Sequence, residues 1–211
     1  MPGSGFVSPN WVRDHRHRFK DAGAGVRPPD SDLPGRGPPD KSQRALAGAG
    51  FVDGPDVPRS VLREGMGWLI KERRPVVSFE IFERLVRDGV PGLCITRQYP
   101  ERVRYEHGLT NVRIIWLSTV LGKDYIDAHN LNSLSYLIAG FVNDAPNGVI
   151  LLDGVEYLII NNDFARVLHF LEHVNELIMH RRAIILLPVS PATLDEKELA
   201  LLERSLMVLE E

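Results

Sequence analysis

Beyond residue 65 the chain alternates short, nearly unbroken apolar runs with longer stretches in which apolar residues recur every three or four positions. Continuous apolar runs suit strands of a sheet covered on both faces, and the three-to-four spacing suits the helices that cover it. Five strands are predicted, at 67–71, 92–96, 112–117, 148–152 and 183–187. The first helix, 77–88, places Phe79, Phe82, Leu85 and Val86 on one stripe and stops at Gly89. A second opens near Asp127 as its cap and presents Leu131, Leu134, Leu137, Ile138 and Phe141. A third, 163–181, buries Phe164, Val167, Leu168, Leu171, Val174 and Ile178. The last, 195–209, pairs Asp195 with Glu198 in a capping box. Strand–helix–strand order with right-handed crossovers predicts an α/β fold: three layers around a doubly wound, mainly parallel five-stranded sheet.

Residues 1–60 break the pattern. They hold nine of the 18 glycines and nine of the 15 prolines, with no periodicity. Such a composition buries too little apolar surface to offset chain entropy, so a disordered tail is expected at 1–60 and one α/β domain at 61–211. The tail carries nine Lys/Arg against seven Asp/Glu, and the domain sixteen against twenty-one. Neither has the basic excess that drives nucleic-acid binding, so no nucleic-acid partner is expected. Arg13, His15, Arg16, His17, Arg18 and Lys20, beside Trp11 and Phe19, read as a solvated tail; tethering to nucleic acid or protein is the alternative. No apolar run approaches the roughly 18 residues that span a bilayer, and the start lacks an apolar signal core, so a cytoplasmic protein is expected. Cys94, the sole cysteine, lies within an apolar run and reads as a buried thiol rather than a nucleophile.

In an open parallel sheet, ligands bind beyond the carboxyl ends of the strands. Two such ends are polar here. Leu-Leu-Asp-Gly-Val-Glu-Tyr-Leu at 151–158 brings Asp153, Glu156 and Tyr157 to the rim, and Thr-Arg-Gln-Tyr-Pro at 96–100 brings Arg97. An Asp directly after an apolar strand is where a nucleotide-hydrolysing domain holds magnesium. The competing reading has Asp153 accept backbone N–H bonds in its own turn. Arg97 suits pairing with Asp153 or Glu156, or clamping a phosphate or carboxylate.

A phosphate cradle needs a glycine-rich turn ahead of a helix, yet the first strand is followed by Lys71-Glu72-Arg73-Arg74-Pro75-Val76-Val77-Ser78. Glu72 would repel phosphates there, with Arg73 and Arg74 in partial compensation. His169 and His173, with Glu172, Glu176 and His180, share metal-like spacing but fall on a face read as solvated, so no metal is expected. No serine elbow, zinc-protease helix or dinucleotide-binding turn is present. No catalytic residue, cofactor or enzyme activity is expected.

Several stretches together resemble the archaeal domain-of-unknown-function 835 family: Gly-Trp-Leu-Ile-Lys-Glu at 67–72, Gly-Val-Pro-Gly-Leu-Cys-Ile-Thr-Arg at 89–97, Ile-Trp-Leu-Ser at 115–118, the Asp-Gly-x-Glu-Tyr-Leu motif at 153–158, and Pro-Val-Ser-Pro at 188–191. The resemblance spans 65–208. Ala128 and Ser190 depart from the family pattern without threatening the fold. More remotely, the element order is similar to a KaiC-type, RecA-superfamily core without its P-loop, in which Arg97-Gln98 replaces the catalytic Glu expected before the proline. The resemblance implies a non-catalytic sensory, regulatory or scaffolding module of archaeal signal transduction. A small ligand or protein partner would bind at Arg97, Asp153, Glu156 and Tyr157. The alternative is a residual nucleotide-binding domain with weak or no ATPase activity, using Arg73 or Arg74 in place of the P-loop lysine.

Overall fold

The sheet is built from seven strands in the computed structural model, which describes residues 62–119, 122 and 124–210. The predicted tail and its basic cluster lie outside the described residues. In chain order the elements are β1 (Gly67–Lys71), α1 (Val77–Arg87), β2 (Gly92–Thr96), α2 (Pro100–Glu106), β3 (Arg113–Leu117), β4 (Tyr125–Ile126), α3 (Leu131–Asp144), β5 (Val149–Asp153), α4 (Val155–Asn162), α5 (Phe164–Arg181), β6 (Ile184–Val189), α6 (Glu196–Ser205) and β7 (Met207–Glu210). The strand order is β4-β3-β2-β5-β6-β1-β7, and every neighbouring pair is parallel.

The continuous apolar strands divide their side chains between two cores, as period-two geometry demands. Leu69, Leu93, Ile95, Ile150 and Leu152 face a core completed by α3, α4, α5 and α6. Trp68, Ile70, Cys94, Val149 and Leu151 face the opposite one, closed by α1 and α2. Three layers result, as predicted. Helix α1 follows its stripe, burying Phe79, Phe82 and Leu85, and the chain leaves it through Gly89 at a φ of 89°. The capping box of α6 forms as read: Asp195 accepts from the Glu198 N–H, and Glu198 from the Asp195 N–H.

The predicted count of five strands is corrected to seven. The run Leu206-Met207-Val208-Leu209 fits helical spacing after Leu202, but Leu206 is extended (φ −128°, ψ 155°). The chain there joins the free edge of β1 as β7, pairing Leu69 with Val208. The last helix therefore ends at Ser205, not at 209. Strand β4 has only two residues, too few for an alternation to register. Two helices were also missed: α2, which buries only Val103, and α4, which begins immediately after the glycine of the Asp-Gly motif. The cap of α3 is Asn130, whose side chain accepts from the Ser133 N–H, rather than Asp127. Among the described residues no helix is long and apolar enough to cross a membrane.

Phe82 is completely buried between α1 and the sheet, whereas Tyr136 on α3 is 80% exposed. Phe82→Ala should cost about 3–5 kcal/mol of unfolding free energy and Tyr136→Ala less than about 0.5 kcal/mol. Urea titrations of the two variants read this difference directly.

Candidate functional site

The first helix begins where a phosphate cradle is expected, and its free N–H groups are already bonded. Glu72, one residue beyond β1, is held at the sheet edge by its own N–H donating to the Val189 carbonyl (3.1 Å). Its side chain turns back onto α1. Oε2 accepts from the Val76 and Val77 N–H groups (2.8 Å each), and Oε1 from the Ser78 N–H (3.2 Å). Glu72 as a whole is 4% exposed. Three successive backbone donors at a helix start form an anion site, and here the protein supplies the occupant. The expected repulsion of phosphates thus takes a stronger form: the donors themselves are taken. Burial pushes the Glu72 carboxyl above its ordinary value, against the downward pull of its hydrogen bonds. Arg73 and Arg74, on the same connection, are exposed.

The strand-end rim lies where β2 and β5 run side by side, with Thr96 paired to Asp153. Asp153 Oδ2 accepts from Thr96 Oγ1 (2.7 Å) and Gln98 Nε2 (3.2 Å), while Thr96 Oγ1 accepts from the Gln98 N–H (3.0 Å). These bonds tie Asp153 to the neighbouring strand rather than to its own turn. Arg97 forms no ion pair with Asp153 or Glu156, contrary to one expectation. Its guanidinium lies 3.4 Å from the centre of the Tyr157 ring. Gly154, at a φ of 152°, permits this: a Cβ there would stand 3.2 Å from Arg97 Cγ and 2.7 Å from Leu117 Cδ1. Glu156 Oε1 accepts from the Ser190 N–H (2.8 Å), joining α4 to the end of β6.

The four predicted rim residues are therefore joined to one local framework. Glu156 and Tyr157 are engaged by Ser190 and Arg97, and one oxygen of Asp153 by Thr96 and Gln98. The N–H edges of Arg97 meet no carboxylate among the described residues. Sequence reasoning missed the aromatic flank beside it. Trp116 donates its indole N–H to the Arg97 carbonyl (3.0 Å) and stands edge-on to Tyr99 (5.6 Å) and Tyr125 (5.2 Å). Tyr99 is 56% exposed. The signal available was an aromatic residue near the end of each of two adjacent strands, Tyr99 after β2 and Trp116 within β3.

Cys94 is buried in β2, and burial pushes its thiol up, with the charge of Asp153 adding to the effect. His169 and His173 stand exposed on α5, and among the described residues no group of three or more His, Cys, Asp or Glu side chains is placed to hold a metal ion.

The family model "Protein of unknown function (DUF835)" matches residues 71–206, from the end of β1 through α6. The chain belongs to this family. No curated protein matches it. Among solved structures, the DUF835 chain is similar to PH0250 of Pyrococcus horikoshii OT3, with a TM-score of 0.55 at 16% identity, covering 72% of this chain and 84% of that one. It is similar to the KaiC-like protein PH0186 of the same organism, with a TM-score of 0.50 at 16% identity, covering 70% and 73%. The flagellar accessory protein FlaH of Methanocaldococcus jannaschii aligns with a TM-score of 0.49 at 15% identity, covering 71% and 72%. The fold of this DUF835 domain is thus similar to that of the KaiC-like protein PH0186.

Glu72→Ala leaves the Val77 and Ser78 N–H groups without their acceptor, while the Val76 N–H keeps the Arg74 carbonyl (2.7 Å), and should cost about 2–4 kcal/mol in urea unfolding. The raised carboxyl sets a pH trend as well. The folded state holds the Glu72 proton more tightly than the unfolded chain, whose carboxyl titrates near 4.5. This contribution to stability is therefore present below pH 4.5 and lost as pH rises through the folded-state value. The stability of the wild type relative to Glu72→Gln should fall as pH rises above 4.5, which paired urea midpoints would report.

Proposed function

We propose that this DUF835 domain is a non-catalytic sensory, regulatory or scaffolding module of archaeal signalling that binds a small ligand or protein partner at its strand-end rim. The observation that carries the reading is the Glu72 carboxyl group on the first N–H donors of α1. A nucleotide phosphate placed there would have to displace a side chain bonded three times, and would find no glycine turn to admit it. Asp153, where a magnesium-binding acid is expected, has one oxygen committed to Thr96 and Gln98. The rim offers instead an arginine whose guanidinium lies over a tyrosine ring, with Tyr99 and Trp116 beside it. Arginine and large aromatics are the residue types that dominate binding hot spots, and a pre-stacked guanidinium loses little freedom on meeting an anionic group.

The rival reading, residual nucleotide binding through exposed Arg73 or Arg74, requires Glu72 to leave its donors. Thermal shift and phosphate release on the full chain with ATP and magnesium separate the two. The expected result is no stabilisation and no turnover. Turnover abolished by Asp153→Asn would overturn the proposal. Any compound or partner that does bind the rim should lose at least about tenfold in affinity on Arg97→Ala, the scale of one lost charge-assisted contact.

A further inference from the structure

Away from the rim, α3 and α5 enclose a groove of about 330 Å3, within the size range of small-ligand sites. Its floor includes Phe170, which is 5% exposed. Asn132 and Ser135 line it from α3, and Arg166, His169 and His173 from α5. Positions 166, 169 and 173 recur at helical spacing, so the three cationic or imidazole side chains share one face. Every polar side chain lining the groove offers a hydrogen-bond donor, and no carboxylate is among them.

The surrounding charges leave this face available to an anion. Arg166 makes no ion pair among the described residues, although its backbone N–H donates to the Asp163 cap at 2.9 Å. His169 Nδ1 lies 3.2 Å from Glu172 Oε2, which leaves Nε2 for another partner. α1, α2, α4 and α6 each carry an acid in the first turn, whereas α3 and α5 carry none. The guanidinium beside two imidazoles disfavours a metal cation and favours an oxyanion. Donors arriving from two helices suit a tetrahedral phosphate better than a planar carboxylate.

We propose that the α3–α5 groove binds a small organic phosphomonoester, its phosphate on Arg166 and His173 and its apolar part against Phe170. This site is separate from the rim and independent of the function assigned there. Calorimetric titration of the full chain with phenyl phosphate tests it. Saturable one-site binding is expected, weakened at least tenfold by Arg166→Gln and severalfold by His173→Gln, and unchanged by Arg97→Ala. Both groove side chains are exposed, and circular dichroism of the variants checks that the fold is retained. Inorganic phosphate should bind more weakly than phenyl phosphate, because it leaves Phe170 uncovered. No saturable binding, or binding that survives Arg166→Gln, would overturn the proposal. Benzoate binding as tightly as phenyl phosphate would overturn the phosphate assignment in favour of a carboxylate.

Discussion

A helix that begins inside a fold leaves backbone N–H groups that must find acceptors, and α1 begins at the C-terminal edge of a buried sheet. The side chain that meets this need comes from the residue directly after the preceding strand. Glu72 is bonded to the Val189 carbonyl through its own N–H and to the α1 donors through its carboxyl group, so it links the end of β6 to the start of α1. The helix buries Phe79, Phe82 and Leu85 in the core below. A phosphate-binding loop solves the same problem with a ligand; this connection solves it with a carboxyl group and has no use for glycine. The solution carries a cost, since burial disfavours the charged carboxylate that the donors prefer.

The Asp-Gly-x-Glu-Tyr motif has a similar logic at the other end of the sequence. Asp153 binds the side chains at the end of β2, Gly154 clears a path for Arg97, Glu156 caps the end of β6, and Tyr157 supports the guanidinium. One short segment therefore fastens three strand ends and one helix. This accounts for the residue types without invoking hydrolysis, and it leaves the outer edges of Arg97 and the ring of Tyr99 facing solvent.

Much of this was legible in the sequence because burial on both faces writes itself as unbroken apolar runs. β1, β2, β3, β5 and β6 were read that way, and α1 and α5 from their stripes. What escaped was short or depended on distant contacts. β7 reads as the end of a helix until the free edge of β1 is seen beside it, and β4 and α2 bury too little to leave a period. At the site, the strand ends pointed to Arg97, Asp153, Glu156 and Tyr157 as neighbours, but not to how they pair. Charge alone suggests Arg97 with Asp153, whereas the room above Gly154 directs it to Tyr157. Glu72 was recognised as hostile to phosphate; that it occupies the donors becomes visible only once α1 folds back over it.

The most direct test follows the backbone amides of Val76, Val77 and Ser78 by 15N-resolved NMR while the full chain is titrated with ATP and magnesium. If Glu72 holds these donors, their resonances stay fixed to saturating nucleotide and their hydrogen exchange remains slow. Saturable shifts at these three amides, with loss of the Glu72 hydrogen bonds, would show that a phosphate takes the site and would contradict the account.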